Sequence, residues 1–439
     1  MVLHLGYLTQ ENYTLLIERI NKTADILRQF SNLKHGTRIG ATILNVIKVL
    51  TVLTVLPMKL LIAQGGGPTA VINQSLVGAV LAAKAAGLNI IGSRHGIQGI
   101  VEEDFVDLHR LTEEKLKRIA ETPSSALGST REKPDEAYCE KILEVFRKHD
   151  IRGFFYIGGN DSSETIRLVL NAASAANYEL KGFHIPKTVD NDLVENDHTP
   201  GFPSAARFVA KAAMGLDRDN EALPGVHLMI IMGRHAGFLT CAGGLGGAHR
   251  VYIPELPFDL DEFAKEVGET VAEQGRALIA ISEGVQDKDG HPIISQFVKQ
   301  ETDAHGNKQL SGLPLGNVLA DFLREKGVSD RVRQDTFGYP QRCYPDASAV
   351  DREEAFACGQ KAIECFLAGT LVSGSITIKR DSNQPYTVSI ACVELEKVAN
   401  LTRHLPEEYF DVAKKQLTQA GIDYLTPLVG ELPVMELLD

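Results

Sequence analysis

The sequence predicts an α/β protein built on open, mostly parallel sheets, and three observations carry that prediction. Short apolar runs at 59–64, 154–157, 226–231 and 276–281 each end in a loop rich in glycine, arginine or carboxylates. Ala- and Leu-rich stretches with helical spacing follow most of these loops, so strand and helix alternate. The 39 glycines among 439 residues fit many strand-to-helix turns better than disorder. In folds of this kind, ligands bind beyond the carboxyl ends of the strands.

The length allows two or three domains. A net charge of -12 argues against nucleic acid as a partner, while leaving room for a local basic pocket. Cysteines at 139, 241, 343, 358, 365 and 392 form no C-x-x-C pair, which predicts reduced, mostly buried thiols and a cytoplasmic protein. No histidine pair has zinc-enzyme spacing. Residues 1–57 differ in kind, with six Lys/Arg against three Asp/Glu, so the rest of the chain carries -15. Within them, 41–56 is apolar but too short and too β-branched for a membrane span. It also lies too far from Met1 for a secretory signal. The core is therefore expected to begin at Met58, with 1–57 as an extension and no membrane partner.

The first strand, 59–64, runs into Gly65-Gly66-Gly67-Pro68 and then a helix to about Ala86. Glycines let the backbone approach a ligand, Pro68 suits a helix's first turn, and a helix N-terminus offers N–H groups to an anion. A dinucleotide fingerprint would need an acidic residue at the end of the next strand, and 89–94 has none, so a phosphate cradle is favoured. The small-residue loop 124–133 brings Arg131, most simply a solvated arginine unless it faces that cradle. The strand at 154–157 meets Gly158-Gly159-Asn160-Asp161, where Asp161 would ordinarily be a helix cap.

The densest chemistry is Pro186-Lys187-Thr188-Val189-Asp190-Asn191-Asp192. In an extended loop Asp190 and Asp192 would share one face, so that one takes a proton while the other meets a cation. Alone, Asp190-Asn191-Asp192 favours a solvated turn, and only the other loops of the chain overturn that reading. Further on, Met232-Gly233-Arg234 closes the strand 226–231, and an arginine there can grip a phosphate with two hydrogen bonds. Glu283 ends the strand 276–281, Arg333 follows at 331–333, and Tyr339-Pro340-Gln341-Arg342 comes next. The last sixty residues carry no chemical signal.

Such strand-end loops, with no nucleophile or metal motif, point to phosphoryl transfer, where a protein mainly positions groups and neutralises charge. No Walker loop or protein-kinase loop set is present. In Gly-Gly-Asn160-Asp161-Ser, Pro-Lys187-Thr-Val-Asp190-Asn-Asp192, Met232-Gly-Arg234 and Tyr339-Pro-Gln-Arg342 the chain resembles the phosphofructokinases, and within them the pyrophosphate-dependent members. The resemblance covers about 58–380 and is looser beyond.

It implies two Rossmann-like, three-layer α/β/α domains with the active site in the cleft between them. The donor domain would be 58–200 plus about 346–380, and the sugar-phosphate domain 201–345 plus the C-terminal segment to 439. The implied substrates are pyrophosphate and fructose 6-phosphate, with Mg²⁺ as cofactor and a homodimer or homotetramer as the assembly. Gly65, Gly66, Gly67, Arg131, Asp161 and Lys187 would hold the donor. Asp190 would be the general base, with Thr188 beside the transferred group; Lys187, Asp161 and Arg234 would complete the catalytic set, and Thr188, Val189 and Asp190 would also contact the substrate. Met232, Gly233, Arg234, Glu283, Tyr339, Pro340, Gln341 and Arg342 would bind the sugar phosphate, and Arg333 would reach a neighbouring subunit's site. Asp192 would face the metal or the transferred phosphoryl, and Asn160 the metal.

ATP-using members of the family have glycine in place of Asp161 and Lys187. A carboxylate at Asp161 would stand where a nucleotide's α-phosphate passes. At 4 Å and an effective dielectric of about 20, the repulsion is roughly 4 kcal/mol. Two departures from the family stand out: many relatives have aspartate in place of Asn160, and ATP-using forms have histidine in place of Tyr339. The alternatives are an ATP-dependent enzyme, a non-catalytic regulatory homologue and, most remotely, an NADP oxidoreductase.

Overall fold

The run Lys59–Gln64 is buried at every residue but its first, and its side chains alternate between two cores. Leu60 and Ile62 join Ile157 and Ile185 on one face, while Leu61 and Ala63 join Phe154 and Tyr156 on the other. A strand apolar on both sides must be covered on both sides, as parallel sheets between helical layers are. The computed structural model describes residues 59–297, 301–302, 308–309 and 314–436. The expectations for 1–57 and Met58 lie outside the described residues.

Lys59–Gln64 sits within a seven-stranded sheet of order Tyr386–Glu394, Ser373–Asn383, Lys181–Pro186, Ile151–Gly158, Lys59–Gln64, Asn89–Ser93 and Phe105–Asp107. The five inner strands are parallel and the two outermost pair antiparallel. One helical layer includes Ile72–Ala85 and Ala349–Ala368, which cross closely at glycines. A side-chain carbon at Gly78 would lie 2.1 Å from the Phe356 carbonyl oxygen, so only glycine permits that approach. Glu136–His149 and Asn160–Ala175 cover the opposite face.

The second sheet is smaller and wholly parallel, in the order Val332–Thr336, Val226–Ile231, Ala277–Ser282, Arg250–Tyr252. Phe202–Ala222, Phe238–Leu245 and Gln419–Val429 cover one face, and Leu260–Gln274 and Leu315–Glu325 the other. Tyr386–Glu394 forms a hairpin with Ser373–Asn383, so the first sheet extends past 380 and takes in residues expected to lie with the sugar side. In the first sheet, strand order reverses between Lys59–Gln64 and Ile151–Gly158, since the chain moves outward in one direction first and the other later. Loops diverge at such a point and leave a crevice.

Candidate active site

Two glycine turns open side by side at that reversal. Gly65 N–H donates to the Ile157 carbonyl at 2.8 Å and Gly66 N–H to the Thr130 carbonyl at 2.9 Å. Gly66 has φ +74°, which glycine adopts freely. A side-chain carbon there would lie 3.1 Å from Lys187 Nζ, and one at Gly67 3.1 Å from Arg342 Cζ. The bare backbone therefore lets two cations reach the loop. The helix beyond begins only at Ile72, its first turn is buried, and Pro68 stands ahead of it. The expected cradle at that helix's N-terminus is thus absent, because four residues of loop separate the glycines from the helix. The helix that meets the cleft is Asn160–Ala175, which has no side-chain cap. Arg131 is placed by buried amides: Gln64 Oε1 accepts from Leu127 N–H and Asn73 Oδ1 from Ala126 N–H, each at 2.9 Å.

The cleft, of about 610 Å³, gathers residues from both halves of the chain. Gly66, Gly67, Arg131, Asn160, Asp161 and Lys187 line its donor side, with Thr188, Val189, Asp190 and Asp192 between. Met232, Arg234, Glu283 and Arg342 close the other side.

Lys187 is 4% exposed; its backbone N–H donates to the Gly158 carbonyl at 3.0 Å, but its ammonium makes no hydrogen bond or ion pair among the described residues. Burial lowers its pKa to about 8; Asp190 opposes the shift, and Arg342 and Arg131 reinforce it. Burial raises the Asp190 carboxyl above the ordinary range, against the pull of Arg342, Lys187 and Arg234. Asp192 is pushed up to about 6 by burial and then by Asp190. The backbone between these two acids is not extended. Asn191 has φ +60°, and its side chain turns away into the protein while both neighbours line the cleft.

Asp161 is 70% exposed and meets Lys133 Nζ at 2.7 Å. It lies in the first turn of its helix, where a negative charge suits the dipole. Asn160 Nδ2 donates to Asp192 Oδ2 at 3.3 Å, while Asn160 Oδ1 is buried without a partner. On the sugar side, Gly233 takes φ +143°, and its carbonyl accepts from the Ser282 hydroxyl. Arg234 is 70% exposed, with Nε 3.9 Å from Glu283 Oε1. Burial raises the Glu283 carboxyl and Arg234 opposes it.

Six expected residues stand off the cleft wall. Gly65 and Gly233 shape its loops from behind, and Pro340 opens the short helix Pro340–Cys343. Gln341 is buried, accepting from Met232 N–H at 3.3 Å and donating to the Gly338 carbonyl at 2.8 Å, so it props the sugar loop. Tyr339 is exposed, with the Arg342 guanidinium 4.8 Å over its ring. Arg333 differs more sharply. It pairs with Asp219 and donates to the Leu223 carbonyl at 3.1 Å, so it caps the end of helix Phe202–Ala222 in its own chain.

The phosphofructokinase family pattern matches residues 59–366. The chain belongs to the phosphofructokinase family. A pyrophosphate--fructose 6-phosphate 1-phosphotransferase of Rhodospirillum rubrum is 49% identical over 383 residues, spanning 85% of this chain and 94% of that relative. One from Methylococcus capsulatus is 34% identical over 84% of this chain and 90% of its own length. Among solved structures, a pyrophosphate-dependent phosphofructokinase from Nitrosospira multiformis matches with a TM-score of 0.76 and 31% identity, covering 87% of this chain and 94% of that one.

Sequence reasoning missed several members of the family cleft. Thr130, Glu132 and Lys133 line it beside Arg131, and His235 follows Arg234. Their adjacency to chosen residues was the available signal. Thr402 also lines it, from a part of the chain with no motif.

Proposed function

We propose that this chain transfers a phosphoryl group reversibly from pyrophosphate to the 1-hydroxyl of fructose 6-phosphate, releasing fructose 1,6-bisphosphate and phosphate. One observation carries the reading: a buried Lys187, whose ammonium has no ion-pair partner among the described residues, shares a cleft with Arg131, Arg342 and the carboxylate of Asp190. Three cations at one glycine loop would neutralise a small, highly charged donor. Asp190 takes the hydroxyl proton as the sugar oxygen attacks the terminal phosphorus, the bridging P–O bond breaks, and phosphate leaves. Burial raises that carboxylate's pKa, which makes it a stronger base for the hydroxyl proton. Met232, Gly233, Arg234 and Glu283 hold the sugar phosphate on the four-stranded side, and the seven-stranded side holds the donor.

Mg²⁺ fits beside Asn160 and Asp192. The partnerless Asn160 oxygen and the Asp192 carboxylate are hard oxygen donors of the kind Mg²⁺ takes. When bound, the ion would neutralise charge on the donor's oxygens. Asp161 disfavours a nucleotide less strongly than the buried estimate implies. It is exposed and paired with Lys133, so a water-like dielectric and about 1 kcal/mol apply, or less than tenfold in affinity.

The same reading makes the protein a cytoplasmic homodimer or homotetramer. All six cysteines are free, which supports a reducing compartment, and no described helix is long and apolar enough to cross a membrane. Light scattering on the purified chain measures the assembly. The reaction itself is tested by supplying pyrophosphate and fructose 6-phosphate with Mg²⁺ and no nucleotide. Fructose 1,6-bisphosphate and phosphate should form in equal amounts; no product would overturn the reading.

A further inference from the structure

We propose that Tyr424, on the helix Gln419–Val429, is a positioning residue for the loop that carries Asp190, acting through Asn191. This rests on Asp190 as the base. Asn191 sits between the two cleft carboxylates, is fully buried, and holds a left-handed backbone conformation that asparagine tolerates better than most residues. Hydrogen bonds at both ends hold its amide. Oδ1 accepts from Thr199 N–H at 3.0 Å, and Nδ2 donates to the Tyr424 hydroxyl at 2.8 Å. The hydroxyl in turn donates to the Asp197 carbonyl at 2.7 Å. Because Thr199 N–H can only donate, the amide's orientation is fixed, and every proton in the chain of bonds has one place to go.

The tyrosine is itself held on both faces. Its ring stacks on Tyr409 with centroids 4.8 Å apart, and the Arg380 guanidinium lies 4.6 Å from its centre. A second strap from the same end of the chain reinforces the loop. Arg403 N–H donates to the Asp192 carbonyl at 2.8 Å, and Thr402 bridges to Leu193. The C-terminal segment thus grips the loop at Asn191, Asp192 and Leu193 from behind, while Asp190 and Asp192 face the cleft. Without the Tyr424 hydroxyl, the buried Asn191 amide N–H loses its acceptor, while the Asp197 carbonyl keeps the Arg403 guanidinium, and the loop is free to relax toward other acceptors. A displacement of about 1 Å at a reacting group can cost about 10²-fold in rate, so partial loosening should cost roughly tenfold.

Tyr424→Phe keeps the ring and removes only the hydroxyl. The expected result is a kcat about tenfold lower, with KM for both substrates within about twofold. Amide exchange should quicken at 188–192 and not across the helix Phe202–Ala222. Asn191→Gly keeps the backbone conformation accessible, and adding Tyr424→Phe to it should cost less than about twofold more, because the two act as one unit. A Tyr424→Phe enzyme with kcat within about twofold of the parent, or losses that multiply in the double variant, would overturn the proposal. If Tyr424→Phe does not fold, Asn191→Gly alone decides, and an unchanged kcat there overturns it. Should the parent turn over neither donor, the functional reading is what fails. Exchange at 188–192 then supports positioning if it quickens in Tyr424→Phe and refutes it if unchanged.

Discussion

Two cations on opposite walls of the cleft, Lys187 and Arg234, are held in opposite ways. On the donor side, Lys187 is almost wholly buried and has no carboxylate partner among the described residues. On the sugar side, Arg234 stands in solvent beside Glu283. A buried ammonium has already lost its water, so an incoming anion replaces solvation that is missing. An exposed guanidinium keeps its water and its mobility, and gains less from each contact. The donor wall is therefore built to select a compact anion, and the sugar wall to capture a larger one. Asp190 lies between them and answers to cations from both.

Removing the group that serves both walls should have the largest effect. Asp190→Asn keeps size and loses basicity, and kcat should fall on the order of 10²- to 10⁴-fold. A kcat within about tenfold of the parent would remove Asp190 from its role. Next comes the donor wall. Lys187→Gly should lower kcat/KM for pyrophosphate by roughly 10- to 100-fold, the worth of a hydrogen bond to a charged group. It should leave the KM for fructose 6-phosphate nearly unchanged. On the sugar wall, Arg234→Ala should raise that KM by up to about fivefold, consistent with an exposed charge, and spare the pyrophosphate KM. If the two variants affect both substrates equally, the contrast between the walls is false.

Acidity gives a smaller but sharper test. The charged form of Asp192 is present above about pH 6, and the charged form of Lys187 below about pH 8. The kcat/KM profile, which reports the free enzyme, should therefore fall below the first value and above the second. Lys187→Arg keeps its charge at all these pH values, since guanidinium pKa exceeds about 12, so the alkaline limb should vanish. An alkaline limb that persists unchanged in this variant belongs to another group.

Much of this cleft was legible in the sequence because strand ends are legible. An apolar run that stops at glycine and polar residues locates a loop, and Gly66, Asn160, Lys187, Arg234 and Glu283 all lie just past such stops. What could not be read depends on where a side chain points or on which distant segment returns. Arg333 sits in a strand-end motif, but its side chain points to a helix end. Pro68 looked like a first-turn residue, yet the helix starts four residues later because its first turn packs in the core. Lys133 changes the meaning of Asp161 through an ion pair between two segments of the donor side, and no spacing encodes that. Tyr424 and Thr402 reach the site only because the chain folds back after the hairpin at 373–394.

The central claim is that the donor wall prefers pyrophosphate, and the ratio of kcat/KM for pyrophosphate to that for ATP tests it most directly, in the parent and in Asp161→Gly. The account predicts a parent that strongly prefers pyrophosphate. It also predicts that Asp161→Gly lowers the ratio by up to about tenfold, as expected for an exposed carboxylate beside Lys133. A parent that prefers ATP, or a ratio unmoved by the substitution, would contradict it.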